Sequence, residues 1–335
     1  MSGSIPVRSR PHGRPLLALL AVVVASTLAT ACGTSGSTAP TFSAGGASVP
    51  STVSSTSIST ANPVASRNMS LASTLHVARW PGSRQPPPGF TWAHVSASPA
   101  LAVTTVDHGD VSLLWMDPSL LRFRYVPGSR WPENGPVAAA DTVPATWTAR
   151  MVAAFNGGFK LFDHVGGYYY LGDTVAPLRS GYAAFVVRRD GTLSVGVWGR
   201  DLHLTSDAVV VRQNLPPIVA DGLSQAKATD PVYKWGLTLQ HLRAVNRSAL
   251  GQLADGGLVF EYGHLVTPQT IVTYLVKAGA QTAMMLDMNV VWPTGFLYTH
   301  ARGQLHGTKI NSHIKRTPWV YLTQYQKDFV AVQSR

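Results

Sequence analysis

The chain has 335 residues, 45% of them hydrophobic, with 27 Lys and Arg against 16 Asp and Glu. That length and apolar content can bury a full core, and the single cysteine, Cys32, excludes an intramolecular disulfide framework and any cysteine-based zinc site. A formal charge of +11 suits anionic partners. No dense Lys/Arg block with interleaved aromatics is present, so the plain reading is a generally basic surface.

In chain order, Arg8, Arg10 and Arg14 form a basic segment and Leu16–Leu28 an apolar one too short for a confident membrane span. Residues 1–31 are therefore expected to be an export signal of the lipoprotein type. Small residues Ala29, Thr30 and Ala31 lead into Cys32, and the segment resembles a lipobox whose leucine is displaced to Leu28. Acylation of Cys32 is expected to anchor an otherwise soluble domain outside the cytoplasm, on the bacterial membrane; cleavage without acylation is the alternative. Loss of the three signal arginines leaves 24 basic against 16 acidic residues, a net +8. Export removes nucleic acid as a partner and leaves anionic lipid or phosphate-bearing wall polymers.

Residues 32–78 are expected to be a flexible tether: Ser, Thr, Ala, Gly and Pro dominate, and such composition cannot offset the entropy of backbone ordering. Residues 79–96 form a Pro-rich approach, with Pro81 and Pro86–Pro88 stiffening it and Trp80 and Trp92 available to dock it. One domain is expected over residues 97–335. Val111–Asp117, Leu121–Val126, Met151–Phe155, Asp207–Gln213 and Thr282–Asp287 read as strands. Tyr182–Arg188 and Thr192–Trp198 form a hairpin across Asp190-Gly191, and Asp255-Gly256-Gly257 turns into Leu258–Tyr262. One helix stands out: Thr267 as N-cap, Pro268 in its first turn, Ile271, Leu275 and Ala278 on one face, and Gly279 as terminator. The fold class expected is α+β, a single domain with a mixed, strand-rich sheet and a few packing helices.

Two strands end in polar residues. Met151-Val-Ala-Ala-Phe delivers Asn156 and then Gly157 and Gly158, where the backbone can take positive φ and a ligand can approach closely. Thr282-Ala-Met-Met-Leu delivers Asp287. Ligands tend to sit where strands end, which makes Asn156 and Asp287 candidates for one site. Each also has an ordinary explanation as a turn or cap residue.

Five segments carry a family resemblance: Ala154–Phe159, Pro217–Gly222, Arg247–Gly251, Asp255–Phe260 and Gly279–Asp287. In this order and spacing, the chain from about Asp107 onward resembles the phosphodiester glycosidase domain, the family of the lysosomal enzyme that uncovers mannose 6-phosphate. The resemblance implies hydrolysis of a sugar joined through its anomeric carbon to a phosphate diester. It points to Asp287 as the carboxylate (base or nucleophile), Arg247 as the phosphate grip and Asn156 as a sugar or phosphate ligand. Gly157 and Gly158 would border the substrate. Asp221 is either a turn former or a ligand, Glu261 either a second carboxylate or a solvent-facing strand residue. Asn289 stands where the family has glycine, and His164 lies in a loop rich in glycine and tyrosine that could stack on sugar.

The family continues Leu-Asp into glycines and a serine, whereas this chain reads Met288-Asn289-Val290-Val291-Trp292. Two functions follow as expectations. One is a cell-surface hydrolase of a phosphate-linked sugar in envelope or wall glycans; the other is a non-catalytic wall-glycan-binding lipoprotein on the same fold. No cofactor is expected, since His300, His306 and His313 match no transition-metal spacing; calcium stays open. The partners expected are a phosphate-bearing glycan and the membrane through Cys32, with the protein a monomer.

Overall fold

The computed structural model describes residues 82–130, 132, 142–161, 165–238 and 241–335. Cys32, the export signal, the whole tether, the approach segment as far as Pro81, and His164 lie outside them. Three sheets make up the described part. The largest runs in the order β1 (Ala93–His94), β2 (Leu101–Val106), β3 (Val111–Met116), β14 (Leu258–Val266), β13 (Val245–Leu253), β15 (Ala280–Met288), β11 (Val219–Ala220), β12 (Leu223–Ser224). The second is β7 (Asp173–Ala176), β6 (Tyr168–Tyr170), β10 (Ala208–Gln213), β8 (Ala183–Arg188), β9 (Leu193–Val197). The third is β17 (Gln304–Lys309), β16 (Gly295–Ala301), β5 (Met151–Asn156), β18 (Phe329–Ser334), β4 (Leu121–Val126).

All strand pairings in these sheets are antiparallel. This corrects the expected mixed sheet: the fold is mostly β with few helices. The physical reason is local. Hairpins such as β8–β9 across Asp190-Gly191 and β13–β14 across Asp255-Gly256-Gly257 return the chain directly beside itself, which forces antiparallel register.

Alternation decides what each face of the large sheet covers. Leu114, Met116, Leu250, Phe260, Met284 and Leu286 face a core shared with the other two sheets, where they meet Phe123, Phe155, Phe185, Phe296 and Val330. Leu113, Trp115, Ala249, Val259 and Met285 face the other way, onto Ile271, Val272 and Leu275. Those last three belong to α2 (Pro268–Lys277), the second of two short α-helices among the described residues, after α1 (Ala145–Thr148). Thr267 caps α2 by accepting from the Thr270 amide at 3.1 Å, Pro268 sits in its first turn, and Gly279 follows at φ 80°. Ahead of Ala97, β1 pairs with β2, and Trp92 packs against the core on the α2 side while its indole donates to the Pro87 carbonyl of the same approach segment at 2.7 Å.

Candidate functional site

Ends of all three sheets meet at one place. β5 delivers Asn156, Gly157 and Gly158; β15 delivers Asp287 and Met288; β10 delivers Arg212, Gln213 and Asn214. β18 begins beside them, with Lys327 and Asp328 preceding Phe329, itself the register partner of Asn156.

Side chains stitch these ends together. The Asn156 carboxamide donates to Ser248 Oγ and the Gly157 carbonyl, both at 2.9 Å, and accepts from the Thr294 amide at 2.9 Å. Ser248 in turn donates to the Asp287 carbonyl at 3.3 Å and accepts from its amide at 3.2 Å. Asn214 donates to the Met285 and Leu286 carbonyls and accepts from the Phe159 amide. Asn156 and Asp287 are thus coupled, as their strand-end positions suggested, but through Ser248 and backbone. The capacity of Asn156 is taken up inside the protein, where it is buried and lies off the cavity lining.

Gly157 and Gly158 are close-approach positions of a different kind from the one expected. Neither has positive φ. A Cβ on Gly157 would lie 2.5 Å from the Asp328 carboxyl, and one on Gly158 would lie 3.1 Å from the Arg212 guanidinium. What crowds them is a buried ion pair, not a ligand. Asp328 accepts from Arg212 Nε at 3.0 Å and from the Tyr125 hydroxyl at 3.1 Å, and both members of the pair are almost wholly buried. Arg212 also donates to the Gln213 and Phe159 carbonyls and lies over the Tyr168 ring.

Beside this pair opens a cavity of about 510 Å³. Asp287 and Lys327 form an ion pair on its wall, with Trp292, Tyr233, Lys160 and His241 also lining it and Phe159, Leu215 and Met288 supplying apolar surface. Asp287 Oδ1 accepts from the Met288 amide at 2.8 Å. The Lys327 ammonium lies 4.9 Å from the centre of the Trp292 ring, over which Arg316 also sits. Burial pushes the Asp287 carboxyl up to about 6; Lys327 restrains the rise. Among the described residues Asp287 is the only carboxylate on the lining.

The other predicted residues fall in varied places. Asn289 lines the cavity at φ 84°, so the backbone keeps the left-handed conformation in which glycine would be at ease, even though the residue is not glycine. Arg247 is fully buried off the lining, and its guanidinium donates to the Val266, Trp235 and Arg243 carbonyls at 2.9–3.2 Å. Burial draws it down to about 10. Asp221 sits at φ 52° in the β11–β12 turn, paired with Arg200 at 3.0 Å, away from the cavity lining. Glu261 is corrected from a solvent-facing strand residue to a buried one, between Val259 and Gly263 on the face of β14 that meets α2; neither carboxyl oxygen has a hydrogen-bond partner. Burial raises its pKa strongly, which keeps it protonated.

Lys327, Asp328, Arg212 and Ser248 were not singled out from sequence. The available signals were a Lys-Asp pair abutting the apolar run Phe329–Val332 and an arginine at the end of Ala208–Val211, a strand otherwise apolar. No metal-capable cluster of His, Asp or Glu occurs on the cavity lining among the described residues.

No protein-family model and no curated protein matches the chain. The catalytic domain of zebrafish N-acetylglucosamine-1-phosphodiester alpha-N-acetylglucosaminidase, auto-inhibited by its pro-peptide, is similar at 18% identity and a TM-score of 0.43, over 73% of this chain and 87% of that one. A hypothetical protein from Synechocystis is similar at 14% identity and a TM-score of 0.35, over 73% of this chain and 61% of that one. A protein described as exported, from Burkholderia pseudomallei, is similar at 11% identity and a TM-score of 0.34, over 70% of this chain and 74% of that one. Likeness at this level carries no argument about substrate or reaction. Among the described residues, no helix is long and apolar enough to cross a membrane.

Proposed function

We propose that the chain is an extracytoplasmic hydrolase, lipid-anchored through Cys32, that cleaves a sugar from a phosphate diester in envelope or wall glycans. The observation that carries this reading is Asp287, a carboxyl pushed up to about 6 beside Lys327 on the wall of a cavity that also presents Trp292 and Tyr233. Rings stack on sugar faces, and lysines on the wall suit a phosphate. A single carboxylate is sufficient for this class, because a phosphate leaving group is weakly basic and departs without the proton that ordinary glycosides need.

In the proposed step, a water oxygen attacks the anomeric carbon while Asp287 takes its proton. The anomeric carbon–oxygen bond breaks, and its electron pair leaves on the phosphate. Before substrate binds, Lys327 holds the Asp287 carboxylate. A phosphate that draws the ammonium away leaves Asp287 in a dry pocket with its main counter-charge gone, which raises its basicity when it is needed. Asn156 and Ser248 serve as positioning residues, fixing the end of β15 through hydrogen bonds to each other and to the Asp287 backbone, while Arg247 ties the neighbouring strand β13 to the Val266, Trp235 and Arg243 carbonyls. Ser248 binds the Asp287 main chain, and Arg247 is the register partner of Met288.

The second reading, a wall-glycan binder without turnover, is favoured by the saturation of Asp287: one oxygen takes the Met288 amide and the other takes Lys327. Assay of the protein on sugar-1-phosphodiesters and isolated walls separates the two. The hydrolase reading expects released sugar, with Asp287→Asn slower by about 10²–10⁴-fold, the usual range for loss of a general base. Retention on walls with no product from any substrate would leave the binder.

A further inference from the structure

Outside the cavity lining, three segments distant in sequence bring Asp110, His264 and His313 together, with their potential ligand atoms all within 4.8 Å of one another. Their backbones are tied. The His264 amide donates to the Asp110 carbonyl at 2.8 Å. Asn311, buried, accepts from the His313 amide at 2.9 Å and donates to the Gly109 carbonyl and Ser112 Oγ at 2.9 and 3.0 Å. The loop carrying His313 is thereby pinned to the segment carrying Asp110. The two imidazoles lie face to face at 3.9 Å, and His313 Nε2 is 3.6 Å from Asp110 Oδ1.

The tautomer of His264 follows from its neighbour. Asn246 Oδ1 accepts from the Leu265 amide at 3.1 Å, and Asn246 Nδ2 donates to the Val290 carbonyl at 3.2 Å, which fixes the orientation of that amide. His264 Nδ1, 3.0 Å from the same Oδ1, therefore carries the proton. The lone pair of Nε2 is left over. A ring held through one N–H by a carbonyl oxygen, with the other nitrogen basic, is the arrangement found behind metal-bound histidines.

We propose that Asp110, His264 and His313 form a binding site for one divalent first-row transition ion, with zinc the best-matched occupant. Two imidazoles and a carboxylate leave at least one coordination position for water, and such a donor set suits zinc, nickel or copper rather than magnesium or calcium. Zinc needs its donors at about 2.0–2.2 Å. The side chains of His313 and Asp110 are 40% and 47% exposed, so rotation can close the set while the buried backbone ties stay in place. Lys315 is the nearby cation that works against the ion. The bound ion would clamp β14, the start of β3 and the loop after β17. It would also fix Asn246, whose carbonyl and carboxamide hold Asn289 and Val290 at the cavity mouth.

The test is calorimetric titration of the full chain with zinc chloride alone, with visible absorption of the cobalt(II) form reporting the donor set. The expected result is one ion per chain, binding weakened at least about 100-fold in His264→Ala and His313→Ala and about 10-fold in Asp110→Asn. His306→Ala, which alters a strand residue outside the cluster, should bind as the parent does. Saturating zinc should raise Tm by roughly 5 °C in the parent and leave Asp110→Asn, an exposed change that preserves folding, much less affected. No zinc binding by the parent, or equal binding by Asp110→Asn and both histidine variants, overturns the proposal. This outcome is independent of hydrolysis, because the cluster takes no part in the proposed reaction.

Discussion

Lys327 and Asp328 are neighbours in the chain, both buried, yet they serve opposite ends. Asp328 turns into the protein, where Arg212 and Tyr125 hold its carboxylate. Lys327 turns to the cavity, where its partner Asp287 also lines the wall. The inner pair is enclosed and crowded by Gly157, so it acts as a fastener between β10, β5 and β18. The cavity pair borders space that a ligand can enter, so its charge can be exchanged. Burial alone therefore does not separate the two ion pairs; access to the cavity does.

The comparison can be broken at either pair. The largest effect is expected for Asp328→Ala, which leaves Arg212 uncompensated and should destabilise by about 3–5 kcal/mol in chemical denaturation. A loss under about 1 kcal/mol would deny the fastener role. Next comes pH. Asp287 has a folded pKa near 6, above its ordinary 3.8, so the native state holds the extra proton between those values and stability falls as pH rises through that window. Relative to Asp287→Asn, the parent should lose up to about 3 kcal/mol between pH 4 and 7 and change little above that. An opposite slope in the difference would contradict the raised carboxyl. Gly157→Ala forces a methyl group against the Asp328 carboxyl and should cost about 1–3 kcal/mol. Smallest is Asp221→Ala: its pair with Arg200 is exposed, so a change within about 1 kcal/mol and unaltered turnover are expected.

Much of the frame was legible in sequence because it rests on local rules. Alternation marked Leu121–Val126, Asp190-Gly191 announced its hairpin, and Thr267, Pro268 and Gly279 bounded α2. The arrangement of the sheets was not legible, because which strands pair depends on long-range register. Around the cavity, the strand-end positions of Asn156 and Asp287 were legible since each ends an apolar strand, and Asp287 is the one that lines it. Lys327 and Asp328 were missed because their meaning comes only from what faces them, Asp287 about 40 residues upstream and Arg212 still further. Arg247 and Glu261 show the converse. Residue type suggested a phosphate grip and a second carboxylate, but one guanidinium is spent on three carbonyls and the other group lies neutral beneath a helix.

The pH dependence of kcat/KM on a sugar-1-phosphodiester, measured for the parent and for Lys327→Met, tests the role of Asp287 most directly. Activity should rise through a midpoint near 6 as Asp287 loses its proton, and removal of the Lys327 charge should move that midpoint upward by a unit or more. A parent profile with no limb in that region, or the same midpoint in both proteins, would contradict Asp287 as the reacting carboxylate held in check by Lys327.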